Sequence, residues 1–478
     1  MTEAALWIAG QAVNGDETVE ITHPYDGEVV GTTTWATTKQ IETAIAAADD
    51  VAEQFAASSA YQRARALRRT AEAMQANFDE LAQLITAENG KPLRWARAEV
   101  TRAISTFEWA AEEARRFAGD AQRLDSDPNG AGRMALTRRF PIGPVLGITP
   151  FNFPLNLVAH KVAPALAVGA PVVIKPAPAT PLSALRLGEL LADTDLPAGA
   201  VSVLAVPNDR VEQLSTDPRL PVVSFTGSDT VGWKIRDSLP RKHLTLELGG
   251  NAAALVCRDW DSPQDLDWAT ERLATFGNYQ AGQSCIGVQR VFVERPLFAQ
   301  FEEKLTHKVS ALAVGDPRHA ETMVGPMISV DAAKRVESWV EEAVGSGAKL
   351  LCGGQRDGAQ YAPTLLKDVP ADAKVMREEV FGPVVVIAPV DDLDAGLDAI
   401  NDSKYGLQAG LFTHRYDVAA RAHRELDVGG VIVGDAPSFR ADQMPYGGTK
   451  DSGVGREGVA SAMDDYTYAR VMVLPQMY

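Results

Sequence analysis

The sequence predicts an α/β fold of two doubly wound, largely parallel sheets with a small β arm, and three observations predict it. From about residue 143, short β-branched runs recur between helix-like stretches, at 144–149, 170–176, 199–205, 221–227 and 252–257. This is the rhythm of βα units on a parallel sheet. A second series follows at 289–296, 324–329, 348–354, 383–390, 407–413 and 428–434, with helices expected over 297–312 and 330–345. Two such blocks in succession imply two sheets with a cleft between them. The third observation is a turn cluster at 125–132 followed by a polar–apolar run at 133–139. Residues 465–474 alternate in the same way, so the two runs are expected to pair as a strand arm. Ahead of all this, 40–118 is rich in Ala, Arg and Glu. Leu67, Ala71, Met74 and Phe78, then Leu81, Leu84 and Ile85, follow helical spacing.

The chain has 478 residues, 46% hydrophobic and 23% charged, with a formal charge of −17. That is long enough for two or three domains. The negative charge repels phosphate backbones and anionic bilayers, so neither a nucleic acid nor a membrane is an expected partner. The N-terminal residues lack the basic and apolar regions of a signal peptide, and the most apolar stretch, 142–174, is broken by Pro144, Pro150, Pro154, Pro164 and Pro171. Three cysteines, Cys257, Cys285 and Cys352, form no disulfide framework, and no Cys or His pair has metal-binding spacing. A cytoplasmic protein without a metal, carrying one reactive thiol, is expected.

Cys285 is the candidate thiol. It lies in Gly282-Gln283-Ser284-Cys285-Ile286-Gly287, a small-residue loop at an element boundary, where backbone N–H groups can lower a thiol pKa and hold an oxyanion. A buried structural cysteine is the alternative. Glu247, between Leu246 and Leu248 and ahead of Gly249-Gly250, is expected to be desolvated and its pKa raised, which suits a base that activates water. A structural carboxylate would look the same. Gly227, Ser228 and Gly232 follow the strand at 221–225 in a strand–turn–helix arrangement suited to pyrophosphate, though the spacing departs from the usual dinucleotide fingerprint. Asn152, Asn156 and His160 stand at i, i+4 and i+8 and would share one face if a single helix held all three. Lys175 ends an apolar strand, the place where ligands of open α/β sheets gather. The glycine-rich run 446–456 lacks the order of a P-loop and is read as a domain-contact loop.

Taken in order, these segments resemble the aldehyde dehydrogenase family over essentially the whole chain. The resemblance is carried by Pro150-Phe151-Asn152-Phe153-Pro154, Glu247-Leu248-Gly249-Gly250, Gly282-Gln283-Ser284-Cys285 and Glu379-Val380-Phe381-Gly382-Pro383. It implies a Rossmann-like dinucleotide-binding domain over 1–119 and 142–248 and a catalytic domain over 249–433. It also implies an oligomerisation arm from 120–141 and 456–478, a linking loop at 434–455, and a homodimer or homotetramer. The implied activity is oxidation of an aldehyde to a carboxylic acid with NAD or NADP. Cys285 would be the nucleophile, with Asn152 and the Cys285 N–H holding the oxyanion. Glu247 would activate the hydrolytic water, and Lys161 would stand near the oxyanion on a proton path. Thr149, Phe151, Lys175, Gly227, Ser228, Gly232, Leu248, Glu379 and Phe381 would bind the cofactor. Pro178 stands where NAD-preferring members carry a ribose-binding Glu, which leaves NADP permitted, and Arg210 is a candidate for its 2′-phosphate. Asn156 and His160 on the tunnel helix, with Arg102 and Arg440 as cations, favour a small polar or anionic aldehyde, most like the lactaldehyde and non-phosphorylating glyceraldehyde-3-phosphate branch; structural ion pairs are an equal account of either arginine. The alternatives are an enzyme for aliphatic or aromatic aldehydes and a catalytically idle nucleotide-binding relative.

Overall fold

Five strands run parallel through the middle of the first sheet. In spatial order they are His243–Glu247, Val222–Thr226, Val145–Ile148, Val172–Lys175 and Val201–Val203. The middle three are buried at every position, as strands covered by helices on both faces must be. In the computed structural model, which describes residues 2–475, three short antiparallel strands complete this sheet. Gly453–Val454 pairs with His243–Glu247 at one edge, and Leu6–Ile8 and Gln11–Val13 close the other. Nothing in the sequence pattern had marked the two N-terminal strands.

The helical N-terminal segment comprises Thr38–Ala56, Ala60–Ala76, Phe78–Asn89 and Leu93–Arg116. The first two begin with capping boxes, Thr37 with Gln40 and Ser59 with Gln62, each stabilising its helix by about 1 kcal/mol. Their apolar faces, including Ile41, Ile45, Leu67, Met74 and Phe107, share one core with the first sheet.

The second sheet has seven strands, in the order Lys349–Cys352, Thr364–Lys367, Val384–Val390, Arg290–Glu294, Ala253–Val256, Gln408–Phe412 and Gly430–Val433. All neighbours are parallel except the first pair. The expected helices form over Arg295–Ser310 and Val330–Gly345. The run 324–329, expected as part of a βα unit, is not a strand; Val324 makes only an isolated bridge to Val314. Pro326 removes a donor there, and the next two N–H groups are spent on Ala359 O and the Gln283 side chain.

Arg133–Pro141 pairs antiparallel with Thr467–Pro475 over nine residues, and Ala121–Arg123 joins as a third strand. Residues 456–466 stand apart from this arm. Their helix, Val459–Asp465, puts Val459, Ala462 and Met463 into the first core. Residues 476–478, at the end of the expected arm, lie outside the described residues. The segment 434–455 carries two short strands, Thr449–Lys450 and Gly453–Val454.

Candidate active site

The chain crosses from the first sheet to the second over 248–252, and this crossing brings the candidate residues together. Beside it, the helix Pro263–Asn278 ends in a turn, Tyr279–Gly282, in which Gln280 and Ala281 adopt left-handed φ of 56° and 51°. A non-glycine residue in that region costs about 1–2 kcal/mol. The turn is held from outside: Gln280 Nε2 donates to Asn89 Oδ1, and Ile328 N donates to Gln283 Oε1 at 2.9 Å. Gly282 cannot be replaced, since a Cβ would lie 2.0 Å from Gly382 O.

Cys285 follows, half-buried. Among the described residues its Sγ has one hydrogen-bonding neighbour, Tyr446 Oη, at 3.0 Å. The expectation that backbone amides lower its pKa is corrected. Burial pushes the thiol up to about 11, opposed chiefly by the Tyr446 hydrogen bond.

Asn152 precedes the helix Asn156–Val168, so Asn152, Asn156 and His160 do not share a helix as the spacing suggested. The helix-disfavouring effect of Pro154 on Phe153 explains the late start. One Asn152 N–H donates to Gln283 O at 2.9 Å, which ties Asn152 to the cysteine loop and leaves its second N–H for a ligand. Behind it lies a wholly buried pair, Lys91 and Glu99. Glu99 accepts the N–H groups of Leu155 and Asn156 at 2.9 and 3.1 Å, and Lys91 Nζ donates to Asn152 O at 2.9 Å. Asn156 accepts from Thr106 Oγ1 at 3.4 Å.

His160, buried, pairs through Nε2 with Asp442 at 3.0 Å, and burial lowers its pKa. Arg102 donates to the same Asp442 oxygen from Nε and Nη2, at 3.2 and 2.9 Å. Burial opposes ionisation of Asp442, yet His160 and Arg102 hold its carboxyl well below the ordinary range. Arg440 is also buried. It donates from Nη2 to Glu457 at 3.1 Å, stacks over the Tyr446 ring at 3.6 Å, and leaves Nε without a hydrogen-bond partner. Both arginines proposed as substrate cations are thus ion-paired within the chain.

Glu247, at the end of its strand, is buried, and among the described residues neither of its carboxylate oxygens has a hydrogen-bond partner. Burial, and then the nearby charge of Glu457, raises its pKa well above the ordinary value. Glu457 is the opposite case. Burial opposes its charge, but Lys161 at 3.0 Å and Arg440 keep it ionised well below the usual range. Lys161 also donates to Ser224 and Thr226, at 2.9 and 2.8 Å. It reaches them because Gly147 lets the helix lie close; a Cβ there would stand 2.5 Å from Ile174 and 3.2 Å from Lys161.

The remaining residues line the carboxyl ends of the first sheet, where a nucleotide fits an open α/β sheet. Lys175 is buried with no carboxylate partner, bonds only Asn208 Oδ1 at 3.0 Å among the described residues, and is lowered to about 8 by burial. Gly227 N donates to Glu247 O at 3.0 Å. Ser228 caps the helix Asp229–Ser238 with extended backbone but without a side-chain cap bond; Thr230 N is taken by Asp229 Oδ1 at 2.7 Å, which leaves the Ser228 hydroxyl and the N–H groups of Asp229 and Val231 for an anion. Gly232 packs directly on Leu248, a Cβ there falling 2.2 Å from Leu248 Cδ2. Thr149 Oγ1 is buried and unpartnered. Phe151 meets Phe381 edge to face at 5.8 Å, Phe381 itself holding φ 46°. Glu379, pushed by burial to about 7, accepts only Gly250 N among the described residues, at 2.9 Å, and Gly249 makes room for its other oxygen. Arg210 is directed to Ala36 O at 3.0 Å. A buried unpaired cation, an open helix terminus and an under-used carboxylate together fit a nicotinamide dinucleotide.

The aldehyde dehydrogenase family model matches residues 7–472. The chain belongs to this family. A 3-sulfolactaldehyde dehydrogenase of Priestia megaterium is 42% identical over 470 residues, covering 98% of this chain and 97% of that protein. Aldehyde dehydrogenase 21 of Physcomitrella patens, solved in complex with the reaction product succinate, superposes with a TM-score of 0.97 at 44% identity, covering 99% and 98% of the two chains. The glyceraldehyde-3-phosphate dehydrogenase GapN of Methanocaldococcus jannaschii, complexed with NADP, gives a TM-score of 0.91 at 34% identity over 96% and 100%. This aldehyde dehydrogenase therefore oxidises an aldehyde to its acid with NAD(P). No helix among the described residues is long and apolar enough to cross a membrane, and none of their acidic, His and Cys side chains group as a metal site.

Sequence reasoning missed five side chains that the aldehyde dehydrogenase fold brings to this site: Lys91, Glu99, Asp442, Tyr446 and Glu457. Tyr446 and Glu457 lie at or beside the glycine-rich run 446–456. The signal was an aromatic and an acid flanking glycines that admit close backbone approach: a Cβ at Gly447 would sit 2.9 Å from Glu247 Oε1, and one at Gly453 would sit 1.9 Å from Leu246 O.

Proposed function

We propose that Cys285 is the nucleophile and Glu247 the base that activates the hydrolytic water. The observation that carries this reading is a half-buried thiol that feels the charge of a buried carboxylate, Glu247, whose two oxygens are free of hydrogen bonds among the described residues. Ionised Cys285 attacks the aldehyde carbon, forming a carbon–sulfur bond. The free N–H of Asn152 and the Cys285 backbone N–H take the developing oxyanion. NAD(P)+, when bound, would supply the acceptor for the hydride that leaves the thiohemiacetal carbon, and Cys285 then carries a thioester. Glu247, its pKa raised by burial, then takes a proton from water as that water attacks the thioester carbonyl, and the acid leaves with the thiolate restored. Lys161, fixed by Ser224, Thr226 and Glu457, holds a positive charge near this centre.

Lys175, Thr149, Ser228, Gly227, Gly232 and Leu248 hold the nucleotide, while Glu379, Phe381 and Phe151 hold its nicotinamide end. Both NAD and NADP are accepted, because Pro178 puts no carboxylate against a 2′-phosphate. The cofactor domain is 1–119 with 142–248, the catalytic domain 249–433. The arm mediates a homodimer or homotetramer, since Val471, Met472 and Val473 are exposed on its strand.

The substrate is a small polar or anionic aldehyde. Support comes from the polar residues Asn156 and His160 on the helix Asn156–Val168 and from unused donor capacity on the arginines. Arg102 spends Nε and Nη2 on Asp442 but not Nη1, and the buried Nε of Arg440 has no partner. The sulfonate in the name of one relative's substrate and the succinate bound to another match such donors. The test is NADH and NADPH formation with lactaldehyde, sulfolactaldehyde, succinate semialdehyde, glyceraldehyde-3-phosphate and an aliphatic aldehyde. Turnover dominated by a short polar or anionic aldehyde, abolished in Cys285→Ala with cofactor binding intact, is the expected result. A preference for long aliphatic aldehydes overturns the substrate reading, and an active Cys285→Ala overturns the mechanism.

A further inference from the structure

Cys285 meets a difficulty that the mechanism above does not resolve. A thiol attacks as its thiolate, yet the charges of Glu379 and Glu247 both oppose ionisation, and burial opposes it more strongly still. Arg440 acts in the other direction, but its Nη2 is given to Glu457, and none of its N–H groups is hydrogen-bonded to the sulfur among the described residues. Tyr279, the other phenol nearby, gives its hydroxyl to Ser284 Oγ at 2.8 Å. That leaves the Tyr446 hydroxyl.

We propose that Tyr446 is a catalytic residue, its hydroxyl donating a hydrogen bond to Cys285 Sγ that favours the attacking thiolate. This rests on the assignment of Cys285 as the nucleophile. The two atoms lie 3.0 Å apart, Tyr446 is 4% exposed, and Oη has no other hydrogen-bond partner among the described residues. Direction follows from chemistry. A thiolate has no proton to give, so once Cys285 ionises only the phenol can donate. Burial and the neighbouring thiol hold Tyr446 protonated, so the donor survives over the working pH range. Arg440 lies over the face of the ring at 3.6 Å, drawing electron density from it and strengthening the O–H as a donor. The position is fixed by the backbone: Tyr446 N and O pair with Glu457 O and N, so the ring, Arg440 and Glu457 form one rigid unit against the sulfur.

When Sγ becomes part of the thiohemiacetal it turns into a poor acceptor, and the bond weakens. Tyr446 therefore contributes to forming the nucleophile and again to releasing the acid, when the thiolate is the leaving group.

The test is the pH dependence of Cys285 alkylation by iodoacetamide, followed at the Cys285 peptide so that Cys257 and Cys352 do not contribute. In this reaction an S–C bond replaces C–I, iodide departs and the thiol proton goes to solvent. Tyr446→Phe keeps the ring and the Arg440 contact and removes one oxygen. Its alkylation midpoint is expected to rise by about one to two pH units, the shift that a charge-assisted hydrogen bond carries, and its rate at neutral pH to fall about tenfold or more. A 3-fluorotyrosine at 446, a slightly stronger donor of the same shape, is expected to keep the midpoint at or below the wild-type value. A merely structural Tyr446 would move neither midpoint. Equal midpoints in wild type and Tyr446→Phe overturn the proposal, as does a fluorotyrosine variant with a raised midpoint. An active Cys285→Ala would instead overturn the nucleophile assignment.

Discussion

Replacing Gly250 by Ala tests the packing of Cys285, the proposed nucleophile, directly. The added Cβ falls 2.2 Å from the Cys285 carbonyl oxygen. That oxygen belongs to backbone, so no flexible side chain can yield, and one of the two segments must retreat by about 1 Å to reach a tolerable contact. Overpacking of this kind costs about 1–3 kcal/mol of stability. The functional cost is larger in proportion, because a displacement of ~1 Å at a reacting centre lowers turnover about 100-fold. Gly250 N also donates to Glu379 Oε1 at 2.9 Å, so a shift at 250 loosens the carboxylate assigned to the nicotinamide end. The assay is kcat and KM for aldehyde oxidation with thermal unfolding alongside. Gly345→Ala is the control: a Cβ added at this last residue of its helix meets nothing within 4 Å, and Ala there is expected to be neutral or to stabilise by up to about 1 kcal/mol. Gly250→Ala with kcat within about threefold of wild type and an unchanged unfolding temperature would refute the reasoning.

Glu457→Gln leaves Lys161 and Arg440 as buried cations without their carboxylate, a loss of about 3–5 kcal/mol measurable by denaturant unfolding at neutral pH. Because the folded pKa of Glu457 is depressed, its contribution is present above the ordinary carboxylate range and disappears as the pH falls through the folded value, so the gap between wild type and variant narrows in acid. The same substitution removes a negative charge that raises Glu247, and the acidic limb of the kcat profile is expected to move to lower pH. Glu99→Gln unpairs Lys91 and loosens Asn152, so kcat should fall while the cofactor dissociation constant, read by fluorescence titration, changes little. Glu379, at about 7, loses acceptor capacity on protonation; cofactor affinity is expected to weaken as the pH drops below about 7, and Glu379→Gln to abolish that dependence.

Much of the fold was legible because parallel strands buried on both faces read as continuous β-branched runs, as at Val172–Lys175 and Val222–Thr226. The arm was legible for a different reason: the alternation in 133–139 had a counterpart in 465–474. The short N-terminal strands Leu6–Ile8 and Gln11–Val13 were not, since two or three residues carry no periodicity. At the site, Cys285, Glu247 and Asn152 stood out through the glycines, prolines and apolar residues around them. Lys91 and Glu99 did not, because a charged pair on a helical surface and one sealed beneath a loop have the same local text.

The sequence by itself determined the class of fold, the family and the chemical kind of each candidate group, because these depend on local pattern and residue type. The tertiary structure decided which charges meet. Arg102 and Asp442 are separated by 340 residues and Lys161 and Glu457 by 296, yet each pair touches. Burial then decided protonation: Glu247 and Glu457, both acids beside glycines, are driven in opposite directions because one faces no hydrogen-bond donor and the other faces two cations. Electrostatics in a desolvated site depends on three-dimensional neighbours, and those are a property of the folded chain alone.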